Sequence, residues 1–188
     1  MNLLEEIKRY EPYNDQEEQD QQLMVKYLST FGNLLTRENE MAHFTASAWV
    51  LNKERTKVLM IYHNIYDSWA WTGGHVDGEK DLLKVAINEL KEETGVNYVK
   101  PIVEDIFSLE ILSVNGHMKR GKYVSSHLHL NVTYLLEVDE DLELFIKPDE
   151  NSGVMWVDFN KSAALSKEIW MQGIYKKLNE KCKLLETE

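Results

Sequence analysis

The spacing of apolar side chains changes along this 188-residue chain. Up to about Glu40, apolar residues recur at helical intervals in a polar, acidic background: Leu3, Leu4 and Ile7, then Leu23, Met24, Tyr27, Leu28 and Phe31. The spacing predicts two helices parted near Pro12 and Asn14, the second running from about Asp15 to about Gly32. From His43 the texture becomes β-branched and aromatic. "HFTASAWVLN" and "KVLMIYHN" read as strands joined by the charged turn "KERT". "IVEDIFSLEILSVNG" and "SSHLHLNVTYLLEV" read as a long antiparallel pair with the basic "HMKRGKY" at its tip, and "SGVMWVDF" as a last strand. "SAALSKEIWMQGIYKKLNEKCKLL" predicts an amphipathic C-terminal helix starting at a Ser cap. This order predicts an α/β fold, a mixed sheet between helical layers. Residues 1–40 form a helical extension and residues 41–188 the main domain. The extension could pack on the domain, cover a site or make a homodimer contact.

Composition narrows the function. The formal net charge is −11, which argues against a nucleic acid polymer as partner, because nonspecific binding needs a basic surface. A small anionic substrate remains possible if a cation bridges it to the protein. Cys182 is the one cysteine, so there is neither an internal disulfide nor a thiolate metal cluster, and a reducing, cytoplasmic setting is expected. The first residues, "MNLLEEIKRYEPYND", place acids where a signal peptide has an apolar core, and no apolar run is long enough to span a membrane.

The best-defined element is a helix over Asp81–Thr94. Leu82, Leu83, Ala86, Ile87 and Leu90 make one buried stripe, and Gly95 ends the helix as a left-handed residue would. Glu89, Glu92 and Glu93 fall at i, i+3 and i+4 and share a face at the edge of the buried surface. Lys80, Lys84 and Lys91 point to the opposite, solvated side and are poorly placed to neutralise them. Glu92 and Glu93 also sit in the last turn, where the helix dipole disfavours negative charge by up to about 1 kcal/mol each. Three exposed glutamates on a helix are common, and spacing alone leaves a solvated face as good a reading as a divalent cation site. A cation would offset both costs, and Mg²⁺ suits carboxylate together with phosphate oxygens.

"GGHVDGEKDLLKVAINELKEETGV" resembles the Nudix box, G-x5-E-x7-R-E-U-x-E-E-x-G-U, where U is a bulky aliphatic residue. From Gly74, this chain puts Glu89, Leu90, Glu92, Glu93, Gly95 and Val96 in register, with Trp69 shortly before the glycines. The resemblance, with flanking strands, covers roughly His43 to Phe159. It implies an α/β/α sandwich with a mixed β-sheet. The implied activity is a hydrolase that cleaves the diphosphate linkage of a nucleotide-type or other organic diphosphate, with Mg²⁺ or Mn²⁺. The implied metal ligands are the Gly74 carbonyl and the carboxylates of Glu89, Glu92 and Glu93. Glu89 is the first candidate for the base that takes the proton of the attacking water, and Glu92 or Glu150 the second. Glu150 lies just before a strand holding Trp156, in a stretch that reads equally well as a turn. Lys80 and Asn88 depart from the box, where the pattern has Glu and Arg. Losing both removes an ion pair without stranding half of it, and Asp77, Glu79 or Asp81 could replace the missing acid.

Outside the box, His127, His129 and Asn131 alternate on one strand and share a face. The histidines could line a substrate pocket or bind a metal, and equally could be the polar face of a strand. Lys119, Arg120 and Lys122 could hold a distal phosphate or form a solvated hairpin tip. Trp69 or Trp71 could stack on a base, although Trp71 also suits the core. Asp67 and Ser68 read as turn residues. Two other functions fit the fold: a non-catalytic nucleotide or sugar-nucleotide binding module, and an isopentenyl-diphosphate isomerase-like enzyme. "WAWTGGH" faintly resembles the isomerases, but they use a cysteine near that position, whereas Cys182 lies on the last helix.

Overall fold

The computed structural model describes residues 2–119 and 121–185. The chain opens with α1 (Leu3–Arg9) and α2 (Asp15–Thr30), each capped by an Asn side chain, Asn2 and Asn14, that accepts a first-turn N–H. Strands β1 (Ala42–Leu51), β2 (Lys57–His63), β3 (Ser68–Ala70) and β4 (Thr72–His75) lead to α3 (Leu82–Thr94). After α3 come β5 (Lys100–Pro101), β6 (Ser108–Val114), the hairpin β7 (His117–Lys119) and β8 (Lys122–Val124), β9 (His127–Glu137) and β10 (Asn151–Asp158). A 3-10 turn at Ser162–Leu165 precedes α4 (Ile169–Leu185).

The sheet runs β10-β2-β1-β9-β5, with β3 on β2, β4 on β1 and β6 on β9. Its β1–β9 pair is parallel and its other ladders antiparallel, so the sheet is mixed. All of β1 is buried, because helices or polar networks cover both faces. Phe44, Ala46, Ala48 and Val50 join the core that includes Leu82, Ala86 and Leu90 of α3. Trp49 and Leu51 join the opposite core, which includes Tyr175, Leu178 and Cys182 of α4. Leu3, Ile7, Met24 and Leu34 belong to the first core.

Three local expectations are revised. Residues 102–107 leave the ladder, with Glu104 and Asp105 exposed, and regular pairing to β9 begins at Ser108. The C-terminal helix starts later than Ser162. A 3-10 turn comes first, and Ser166 Oγ accepts from the Glu168 N–H where the α-helix begins. Ser68 is a buried strand residue whose Oγ accepts from the Lys167 N–H at 2.8 Å, whereas Asp67 does occupy a turn.

A buried polar network lies between α2, α4 and the sheet. Lys177 Nζ pairs with Glu17 and Glu110, both at 2.9 Å, and Lys181 Nζ reaches Glu17 at 3.0 Å. Glu110 accepts from Asn131 and Thr133, and the Asn131 carbonyl oxygen accepts from the hydroxyls of Thr45 and Ser47. Burial alone would raise the Glu17 pKa. The charges of Lys177 and Lys181 outweigh it and, with hydrogen bonds from Tyr10 and Ser108, hold it at about 2.

Candidate active site

Strand β4 carries Gly73 and Gly74 across the C-terminal half of α3. Pairing of Ala46 with Gly74 sets its register. The approach requires glycine, because a Cβ on Gly74 would fall onto the Glu89 carboxyl group. The Gly73 N–H donates to Glu93 Oε2 at 3.0 Å. Between β4 and α3 the chain turns through Asp77 and Gly78, both at positive φ, closed by Glu79 N–H donating to Val76 O. Asp81 caps α3 by accepting from the Lys84 N–H, and Gly95, at φ 76°, ends it. The buried Asn151 of β10 donates to the Glu93 carbonyl at 2.9 Å and Phe145 N–H to the Thr94 carbonyl, so two free carbonyls of the last turn are satisfied.

The three glutamates occupy different environments. Glu93 is buried, and burial raises its pKa well above the usual carboxylate range, although the Gly73 N–H opposes this. Burial, together with repulsion from Glu92 and Glu150, raises Glu89 to about 7. Glu92 is exposed and pairs with Lys147 Nζ at 2.9 Å. The same ammonium meets Glu150 at 3.1 Å. Burial acts to lower the Lys147 pKa, but hydrogen bonds to both carboxylates outweigh it and raise it. Glu150 therefore joins the site through Lys147 and through its repulsion of Glu89. Nothing in the sequence marks Lys147, which sits in a loop 55 residues beyond Glu92 with no motif around it.

These residues suit a hard divalent cation. Glu89 and Glu93 are carboxylates with no ion-pair partner among the described residues, Gly74 brings backbone against one of them, and Lys147 stands as a cation between Glu92 and Glu150. Glu92 faces Lys147, and Glu93 accepts from the Gly73 N–H.

At the two positions that depart from the box, other pairs tie the loop. Glu79 Oε2 meets Lys84 Nζ at 2.6 Å, and Glu79 Oε1 accepts the N–H groups of Lys80 and Asp81. Arg37 of the N-terminal segment holds Asp77 with two hydrogen bonds at 2.7 and 2.8 Å.

The remaining candidates are dispersed. Trp71 is buried and packs edge-on against Tyr175. Trp69 is half-buried, edge-on to Tyr62 and close to Gly153. Arg120 lies outside the described residues. Asn131 is buried in the polar network. His127 and His129 meet His43 and His75 in a ring cluster across β9, β1 and β4. Burial lowers the pKa of His43, against a hydrogen bond to the Asn39 carbonyl that raises it. Cys182 is buried on α4.

A family model for the NUDIX domain matches residues 41–178. The chain belongs to the Nudix family of hydrolases. It is 29% identical over 138 residues to the RNA pyrophosphohydrolase of Pelagibacter ubique (strain HTCC1062), a match covering 71% of this chain and 87% of that protein. It is 31% identical over 115 residues to the m7GpppN-mRNA hydrolase NUDT17 of Xenopus laevis, covering 58% of this chain and 36% of that protein. The fold is similar to that of an Ap4A hydrolase from C. elegans, with a TM-score of 0.56 and 18% identity over 77% of this chain and 97% of that one. No helix among the described residues is long and apolar enough to cross a membrane.

Proposed function

We propose that this chain hydrolyses the diphosphate linkage of a nucleotide-type substrate, using Mg²⁺ or Mn²⁺ held by the Gly74 carbonyl and the carboxylates of Glu89, Glu92 and Glu93. The observation that carries the reading is the half-buried Glu89 beside the buried Glu93 under the Gly73–Gly74 strand, neither with an ion-pair partner among the described residues. Drawing two neighbouring carboxylates out of water is costly unless they are paired, and a divalent cation would offset that cost. A bound divalent ion would neutralise phosphoryl charge and lower the pKa of the attacking water.

The protein's own groups divide the remaining work. Gly73 N–H orients Glu93, and Lys147 holds Glu92 and Glu150 at the open side of the helix. Glu89 is the first candidate to accept the proton of the attacking water. Glu92 and Glu150 are the alternative acceptors. The formal charge of −11 favours a small diphosphate over a polymer. The two enzymes named for RNA and mRNA substrates nevertheless make RNA 5′ ends a necessary part of any screen.

The test is phosphate or pyrophosphate release from dinucleotides, sugar nucleotides, nucleoside triphosphates and a 5′-triphosphate RNA oligonucleotide, for wild type and Glu92→Gln. Turnover should require Mg²⁺ or Mn²⁺, and Glu92→Gln should reduce it by on the order of 100-fold. Turnover without metal, or an undiminished Glu92→Gln, would refute the assignment.

A further inference from the structure

The histidine cluster uses different chemistry from the carboxylate helix. His43 and His129 are direct partners across the parallel β1–β9 ladder, and His75 lies opposite Thr45 on β4. In a β-sheet, cross-strand partners and residues two apart share a face. All three rings, with that of His127, therefore project from the same side of three adjacent strands. One ring nitrogen from each of His43, His75 and His129 lies within 4.8 Å of the others. The Nε2 atoms of His127 and His129 are 3.1 Å apart.

The hydrogen bonds fix what His43 and His127 can offer. His43 Nδ1 meets the Asn39 carbonyl at 3.0 Å and His127 Nδ1 meets the Ser125 carbonyl at 2.8 Å. A carbonyl only accepts, so both Nδ1 atoms carry the hydrogen and, in the neutral rings, both Nε2 atoms present lone pairs. Metal-bound histidines are oriented in this way, the distal N–H donated to a backbone carbonyl. His43 Nε2 is also buried with no hydrogen-bond partner among the described residues. A buried acceptor without a donor is an uncompensated cost, and a cation would remove it.

We infer that His43, His75 and His129, with His127 as the fourth ligand, form a binding site for a borderline transition-metal ion of the Zn²⁺ class, separate from the carboxylate site. Zn–N bonds of about 2.0–2.1 Å place tetrahedral nitrogens roughly 3.3 Å apart. The His127–His129 spacing already matches, and the nitrogens of the His43, His75 and His129 trio need to move inward by less than about 1 Å each, within the reach of side-chain rotation. Imidazole nitrogens favour Zn²⁺, Co²⁺, Ni²⁺ or Cu²⁺ over Mg²⁺, so the two sites select different ions. His75 follows Gly74 directly in β4, and the two residues face opposite sides of the sheet. An ion on the histidine side would thus clamp β4 to β1 and β9 and hold Gly74 in register over Glu89. The assignment does not depend on hydrolysis.

The experiment titrates metal-stripped protein with Zn²⁺ by calorimetry, and with Co²⁺ by visible absorption, in excess Mg²⁺. Wild type and a Glu92→Gln/Glu93→Gln double variant should each bind one equivalent, with intense Co²⁺ bands of a tetrahedral nitrogen site. His129→Ala and His75→Ala, at half-buried positions, should each weaken binding at least tenfold while retaining the wild-type circular dichroism spectrum. His127→Ala should shift the Co²⁺ spectrum. Wild-type affinity in a folded His75→Ala/His129→Ala double variant would overturn the site. So would Zn²⁺ binding that vanishes in the glutamate double variant, or no Zn²⁺ binding at all.

Discussion

Glu89 is half-buried beside Gly74 and repelled by Glu92 and Glu150, and its pKa of about 7 has a consequence for metal loading. The pKa is raised, so the metal-free protein keeps the Glu89 proton up to about neutral pH. A divalent ion coordinates the carboxylate and must displace that proton below pH 7, but not above it. Mn²⁺ affinity measured by calorimetry should therefore rise toward neutral pH, by up to about tenfold per pH unit for each of Glu89 and Glu93 that must lose a proton. Glu89→Gln should bind more weakly with a shallower dependence, the remainder coming from Glu93. An affinity already flat between about pH 5 and 7 would show that Glu89 is ionised without metal and that its burial is less costly than its surroundings indicate.

Among the elements, the junction of α2, α4 and β6 concentrates the most buried charge. Glu17, fully buried, is the shared counter-ion of Lys177 and Lys181. Its pKa of about 2 lies below the ordinary value of 4.5. For a depressed carboxylate the stabilisation is complete above the unfolded-state pKa and is lost as pH falls toward the folded-state value. Glu17 thus contributes about 3 kcal/mol above pH 4.5, declining toward pH 2. Glu17→Ala should cost about 3–5 kcal/mol at neutral pH, because it strands buried ammonium groups. Urea denaturation at pH 7 and pH 3 checks both points, and an equal loss at the two pH values would rule out the ionic account. This junction is hidden in the sequence: Glu17 reads as one more acid in a polar helix, and its partners lie some 160 residues away. Helix α3 is legible because every signal for it is local, from the Asp81 cap through the apolar stripe to Gly95. The same locality puts Glu89, Glu92 and Glu93 on one face by their spacing alone. Lys147, the His43–His75–His129 grouping and the strand role of Ser68 depend on which strands become neighbours. The apolar pattern of a single strand does not encode that pairing.

Across the whole molecule, the question is whether residues 1–30 are an appendage or part of the folding unit. Leu3, Ile7 and Met24 share a core with Phe44, Leu90 and Val132, and Ile7 and Met24 are fully buried. Each fully buried side chain of this kind contributes about 1.5–3 kcal/mol. Gln21 adds hydrogen bonds that hold α1 against α2, and Gln16 reaches the Leu109 carbonyl of β6. Deleting residues 1–30 would also remove Glu17, the shared counter-ion of Lys177 and Lys181. The apolar loss from Ile7 and Met24 is about 3–6 kcal/mol, and the lost ion pair adds to it. Their sum rivals the whole stability of an ordinary domain, about 5–15 kcal/mol. A chain starting at Phe31 should therefore be largely unfolded or aggregated at 25 °C, even though it retains the complete Nudix box. A truncated protein that melts cooperatively near the wild-type temperature would make the extension a separable module. Arg37 and Leu35, which hold the Asp77–Gly78 turn, would remain in that truncated chain. Any metal-binding defect it showed would then report the loss of core support beneath α3, not the loss of a direct contact with the site.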